Sequence, residues 1–169
     1  MNIVDEHDQN MKAFHDIIGC AFDVFNEYRP GLTEYPYQYG LKHLLRKLGY
    51  RIEKEYPLPL YLFGEKLEEN YRCDLVLVRE LGDIIIECKA LKSIGEEQRA
   101  QLHNYMLLTH CPYGILINFC KTTARVYSEC YSYNAMIHSV ERLNPAYIGW
   151  NIKPTKKPWQ NYLDNKKER

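Results

Sequence analysis

Several patterns are missing from this 169-residue chain, and each absence removes a class of protein. Net charge is missing: 22 Lys and Arg balance 22 Asp and Glu. Tight nonspecific nucleic-acid binding draws its affinity mainly from phosphate contacts, so a neutral total gives it no support, although a local basic groove stays open. No apolar run approaches the ~20 residues of a membrane span, and no membrane partner is expected. Six cysteines are present (Cys20, Cys73, Cys88, Cys111, Cys120, Cys130), but none forms a C-x-x-C pair or another zinc-like spacing, and an iron–sulfur cluster is disfavoured for the same reason. Several lie in apolar strand-like runs, where a free thiol acts as a small hydrophobe. No secretory leader precedes the first helical pattern, so the expectation is a reduced, cytoplasmic protein. Internal repeats are absent as well, and no second domain is expected in these 169 residues.

What remains suits one compact α/β unit. A length of 169 residues with 46 % hydrophobic content is enough to build a real core. We expect one domain over residues 1–150 and a basic tail over 151–169, where six Lys or Arg meet two acids. Met11, Phe14, Ile17, Ile18, Ala21, Phe25 and Tyr28 recur at helical spacing up to a Pro30-Gly31 stop. A second helix is predicted after Thr33, its N-cap, with Pro36 tolerated in the first turn and Tyr37, Leu41, Leu44, Leu45 and Leu48 forming its stripe. Residues 50–62 read as a strand made kinked or edge-like by Pro57 and Pro59. Two apolar strands, 75–78 and 84–86, flank a Gly82-Asp83 turn signal. Ser93-Ile94-Gly95-Glu96 resembles a capping box opening a helix to about Thr109. Residues 114–119 (GILINF) read as a central strand, 123–130 as another, and 135–143 as a helix. The predicted order, α-α-β-β-β-α-β with additions, describes a small mixed sheet flanked by helices.

Within this frame, the run YRCDLVLVRELGDIIIECKA is unusual. It sets Asp74, Glu87 and Lys89 in strands that otherwise read as buried, where an unpaired charge costs several kcal/mol. A hairpin centred near Glu80 or Leu81 brings Asp74 opposite Glu87 or its neighbour. Alternation along the strand puts Glu87 and Lys89 on one face and Cys88 on the other. Asp74 and Glu87 could then ligate one metal, with the backbone carbonyl of Cys88 as a further oxygen and Lys89 beside a phosphate or a nucleophilic water. Hard oxygen donors favour Mg²⁺ or Mn²⁺ over Zn²⁺. The competing reading is a buried carboxylate–lysine pair that neutralises itself, and such pairs occur. Glu34 lies on the apolar stripe of the second helix, but the helix dipole alone favours an acid in a first turn. Gln101 and Tyr105, four residues apart, share a helical face. His43, His103 and His110 read as surface or capping residues rather than ligands.

Taken together, these residues resemble a known family. Gly31-Leu32-Thr33-Glu34-Tyr35-Pro36-Tyr37 fits the GxxExxY signature, and YRCDLVL, IIIECKA, the Gln101–Tyr105 pair and GILINF follow in the family's order and spacing. The chain thus resembles the GxxExxY family, a branch of the PD-(D/E)XK nuclease superfamily, over residues 14–119. The residue before Asp74 is Cys73 rather than Pro, at a position that varies in the superfamily. The resemblance implies a restriction-endonuclease-like αβββαβ core. It implies Asp74, Glu87 and the helix-borne Glu34 as metal carboxylates, with Lys89 as catalytic lysine. Gln101 and Tyr105 fit the Q-x-x-x-Y element of RecB-like exonucleases, which holds DNA or shapes the site.

The function so implied is Mg²⁺- or Mn²⁺-dependent hydrolysis of phosphodiester bonds in DNA. Two rivals stand beside it: a catalytically weak nucleic-acid-binding module on the same fold, and a structural protein with a self-compensated ion network. Fifteen tyrosines offer stacking surfaces, although most are expected in the core or at its edge. DNA or RNA preference, endo- or exonucleolytic action and oligomeric state, a homodimer included, stay open at the level of sequence.

Overall fold

The computed structural model describes residues 3–123 and 125–144. The expected basic tail, 151–169, lies outside them. The elements run α1 (Ile3–Glu27), α2 (Glu34–Lys47), β1 (Arg51–Leu62), β2 (Glu65–Val78), β3 (Ile84–Lys89), α3 (Glu96–Thr109), β4 (Tyr113–Phe119), β5 (Val126–Asn134) and β6 (Ser139–Arg142). The six strands form one sheet in the order β1-β2-β3-β4-β5-β6. β3 and β4 pair in parallel, with α3 as the crossover, and every other neighbour is antiparallel. This is the α/β architecture expected of a PD-(D/E)XK-like core, extended by the β5–β6 hairpin.

The two faces of the sheet bury different things. On one face α1 and α2 pack Phe14, Ile17, Phe25, Tyr37 and Leu41 against Leu75, Ile84, Ile86 and Ile115. On the other, α3 packs Leu102 and Met106 against Val76, Ile85 and Leu116. Strands buried on both faces read as unbroken apolar runs, which is why IIIEC and GILINF lack alternation. Gly114 allows the close seat of α3, since a Cβ there would lie 2.6 Å from the Met106 sulfur.

The β2–β3 hairpin turns where the Gly-Asp signal stands. Leu75, Val76 and Leu77 pair with Ile86, Ile85 and Ile84, a register centred between Glu80 and Leu81. Gly82 takes φ +107°, and a Cβ there would meet Pro112 Cγ at 2.5 Å. Asp83 accepts from the Arg79 amide.

β1 is an edge strand with a register shift between Pro59 and Tyr61, as its prolines predict. Its outer half and the facing half of β2 leave the sheet as an arm folded along α3. Glu55 sits at φ +53°, where the arm departs. Leu58 and Cys73 join the α3 core, Tyr71 meets the Tyr105 ring at 4.3 Å, and Tyr61 stacks on His110 at 4.7 Å.

Three expectations are corrected. Residues 135–143 are not helical: Asn134 pairs with Ser139 across a turn, and 139–142 form β6. Met136 and Ile137 are exposed on that turn, and Asn134 Oδ1 accepts from the Met136 amide. The N-cap of α3 is Gly95 rather than Ser93, with Gln98 Oε1 accepting from the Gly95 amide. Finally, α1 begins well before Met11, since the acids Glu6 and Asp8 suit the early turns of a helix.

Candidate functional site

The candidate side chains come from four elements, α2, β2, β3 and α3. Glu34 opens α2, whose orientation is fixed by Tyr37. That ring is fully buried, stacks on Phe119 at 4.4 Å with a 4° interplanar angle, and donates its hydroxyl to the Arg29 carbonyl. Thr33 occupies the N-cap in extended conformation, but its hydroxyl makes no cap hydrogen bond. Glu34 is half-buried beside an open cleft of about 450 Å³, lined also by Leu32, Tyr35, Gln38, Ala90 and Lys121.

Glu87 and Lys89 occupy the last turn of alternation in β3 and share a face, while Cys88 points into the α1–α2 core. Glu87 is 4 % exposed, and Lys89 Nζ lies 2.8 Å from its Oε1. The self-neutralising pair weighed from sequence is therefore formed. Asp74 departs from expectation: it is exposed, whereas Cys73 is buried. The cause is the arm's departure beside Glu55, where alternation breaks and both Cys73 and Val76 face α3.

The charges of these elements act on one another. Burial raises the pKa of Glu87; Lys89 opposes this, and the like charges of Asp74 and Glu34 reinforce it. For Lys89, burial works against the ammonium, but the Glu87 hydrogen bond and the charges of Glu87 and Glu34 outweigh it, so its pKa rises. The carboxylates of Glu34 on α2 and Asp74 on β2 thus both act electrostatically on Glu87 of β3, whose charge Lys89 opposes. Among the described residues, no three His, Cys, Asp or Glu side chains are grouped closely enough to hold a metal ion as they stand. In kind the donors suit a hard divalent ion: all are carboxylate oxygens, and their combined charge exceeds what one lysine neutralises.

Gln101 and Tyr105 lie beside Lys89. Gln101 Oε1 accepts from Lys89 Nζ at 2.8 Å, its amide nitrogen donates to the Tyr105 hydroxyl, and the Tyr71 ring packs on that of Tyr105 at 4.3 Å. Lys89 is held between Glu87 and the end of this chain. Two contributors escaped the sequence reading. Tyr71 sits three residues before Asp74 inside the YRCDLVL run, and nothing in its spacing singles it out. Asn118 is 2 % exposed in β4, where its amide accepts from the Leu91 N–H and donates to the Leu91 carbonyl, pinning the backbone just past Lys89. Its signal was available: it is the one strongly polar residue in GILINF.

The histidines stay out of the site. His43 is exposed, and His110 caps α3 in the left-handed region at φ +52°. His103 is half-buried against the Tyr131 ring. All six cysteines are free and buried. No helix of the described residues is long and apolar enough to cross a membrane.

Comparison with known proteins agrees with this geometry. The model of the PD-(D/E)XK nuclease superfamily matches residues 11–129, which span α1 through β5 and every candidate residue above. The chain belongs to that superfamily, whose members are typically nucleases that use divalent metals. It is also similar to SSO0001, known from a crystal structure, at 21 % identity with a TM-score of 0.37. The match covers 66 % of this chain and 52 % of that one, so the chain spans about half the length of that relative. No curated protein matches it.

Proposed function

We propose that the protein is a metal-dependent nuclease of the GxxExxY branch, with RecB-like features, that hydrolyses phosphodiester bonds in DNA. The observation that supports this reading is the buried Glu87–Lys89 pair at the end of β3, on which the charge of Glu34 and Asp74 also bears. Such an arrangement has an excess of negative charge that a divalent cation would relieve. Glu34, Asp74, Glu87 and the Cys88 carbonyl are the groups that would hold Mg²⁺ or Mn²⁺. A divalent ion at this position supplies charge neutralisation at the scissile phosphate and eases deprotonation of water.

The chain's own residues do the rest. Lys89 orients the attacking water and stabilises negative charge growing on the phosphoryl oxygens. Gln101 restrains the Lys89 ammonium, and Tyr105, backed by Tyr71, restrains Gln101. A positioned ammonium is worth more than a mobile one because its orientation is settled before the reaction begins.

One observation favours the binding-module rival: Glu87 is already neutralised by Lys89, and no three donors stand close together among the described residues. A single assay separates the two. Single- and double-stranded DNA are incubated with Mg²⁺ or Mn²⁺ and either the wild type or Lys89→Ala. The nuclease reading requires metal-dependent cutting that the substitution abolishes while circular dichroism stays unchanged. Cutting at an unchanged rate refutes the role of Lys89. In the same series, Asp74→Asn is expected to weaken Mn²⁺ binding in calorimetry.

A further inference from the structure

The nuclease reading leaves one surface unexplained, the outward side of α2 next to the cleft. Three tyrosines stand there at alternate positions. Tyr37 turns inward and is fully buried, whereas Tyr35 and Tyr39 are 58 % and 56 % exposed. The two outer rings lie one helical turn apart with centroids 6.3 Å from each other. Each carries a lysine: Lys54 Nζ lies 4.6 Å from the centre of the Tyr35 ring, and Lys42 Nζ lies 5.2 Å from that of Tyr39. Beyond Glu34 at its start, α2 carries no acid, but it does carry Lys42, Arg46 and Lys47. A basic strip therefore exists within a chain of zero net charge.

The strip is continuous with the catalytic cleft. Tyr35 and Gln38 line both the cleft that holds Glu34 and Ala90 and a shallow hollow bounded by Tyr39, Lys42 and Lys54. Lys54 pairs with Leu75, the residue next to Asp74, so the strip reaches the site from the β2 side too. Aromatic faces alternating with ammonium groups match a polymer of flat bases and regularly spaced phosphates. In a duplex the base faces are occupied by their neighbours, so only unpaired bases can meet a protein ring.

We propose that Tyr35 and Tyr39 form a stacking platform for an unpaired nucleic-acid strand, with Lys42 and Lys54 contacting its phosphates as it enters the cleft. The inference rests on the nuclease reading and adds the strandedness of the substrate. Lys42 and Lys54, now resting over the rings, turn to the backbone when bases take their place.

The test is binding without metal, in EDTA, where no cutting intervenes. Fluorescence anisotropy follows a fluorescein-labelled 12-mer of oligothymidylate, its oligouridylate counterpart, an abasic 12-mer and a 12-base-pair duplex. Wild type should bind the base-bearing single strands more tightly than the abasic strand or the duplex, and the DNA and RNA arms show which sugar is preferred. Each of Tyr35→Ala and Tyr39→Ala should weaken binding of the preferred strand by roughly 5- to 100-fold, the usual effect of losing one stacking partner. Neither should change binding of the abasic strand, and the Tyr→Phe variants should bind as wild type. Lys54→Ala should make binding less salt-dependent, by about 0.7 in the log–log slope.

The inference is overturned if the alanine variants bind the base-bearing strand as wild type does, or lose as much on the abasic strand. It is also overturned if the duplex competes equally, or if sedimentation shows that the two rings join copies of this chain instead. A protein that binds as described but cuts nothing with Mg²⁺ or Mn²⁺ keeps this inference and removes the nuclease reading. One that cuts while its tyrosine variants bind normally does the reverse.

Discussion

Lys89→Met removes the ammonium while keeping most of the stem, and its effect on stability can be worked out from the site. The broken pair is short, 2.8 Å, and its side chains are 14 % and 5 % exposed. Two unit charges at that separation attract by roughly 6 kcal/mol at an effective dielectric constant of about 20. Desolvation offsets much of this, and removing one partner of a buried pair generally costs about 3–5 kcal/mol. Glu87 has an escape, however. Burial, reinforced by Asp74 and Glu34, already raises its pKa, and losing Lys89 raises it further. The cost is then capped by protonation, at about 1.4 kcal/mol for each unit between the assay pH and the new pKa. We expect a loss of about 2–3 kcal/mol at pH 8 without metal, or about 5–10 °C in Tm for a chain of this size. The pH dependence has a definite sign. A carboxyl with raised pKa binds a proton in the folded state that the unfolded chain lacks, so stability falls as pH rises from the ordinary Glu range through the raised value. Lowering the pH to 5 should recover most of the loss, and adding Glu87→Gln to the Lys89→Met variant should recover it at pH 8. Thermal unfolding in EDTA at both pH values checks this. Equal losses at pH 5 and pH 8, or no recovery in the double variant, would refute the electrostatic account.

Three further outcomes follow from the geometry. Glu129 is fully buried and, against the cost of burial, is held at a pKa of about 2 by the Arg99 guanidinium and the hydroxyls of Tyr127 and Tyr131. Its contribution is present above the ordinary Glu value and lost as pH falls toward 2, so Glu129→Gln should cost on the order of 3 kcal/mol at pH 7 in urea unfolding, with the deficit closing in acid. Gly82→Ala forces a Cβ against Pro112 at positive φ and should cost about 1–3 kcal/mol by the same measurement. Gln101→Ala removes one restraint on Lys89, which stays paired to Glu87, and is expected to lower kcat about tenfold, less than the ~10²–10⁴-fold of losing a general acid or base outright, with KM and Tm nearly unchanged; a rise in KM at constant kcat would make Gln101 a substrate contact instead.

Local chemistry made much of the fold legible in the sequence. The GILINF and IIIEC runs, Gly82-Asp83 and the two prolines of β1 each carried a signal whose physical cause acts within a few residues. Hence the hairpin register and the edge position of β1 could be read in advance. The face shared by Glu87 and Lys89 also followed from strand alternation alone. Other features depend on distant contacts. Residues 135–143 carry a helix-like pattern, but pairing with β5 decides their state. Asp74 is exposed because the arm leaves the sheet at that point, and nothing local announces the departure. The link from Lys89 through Gln101 and Tyr105 to Tyr71 joins two strands and a helix, so spacing within any one of them could not reveal it.

The arm over α3 makes the site dependent on residues far from any chemistry. Tyr61 rests on His110 at one end of the helix and Tyr71 on Tyr105 near its middle, so the ribbon works as a strap buckled across the lever that carries Gln101. Its crest, Phe63, is almost wholly open to solvent. A protease nick there would slacken the strap, and the grip on Lys89 would loosen without any atom of the catalytic cluster being touched.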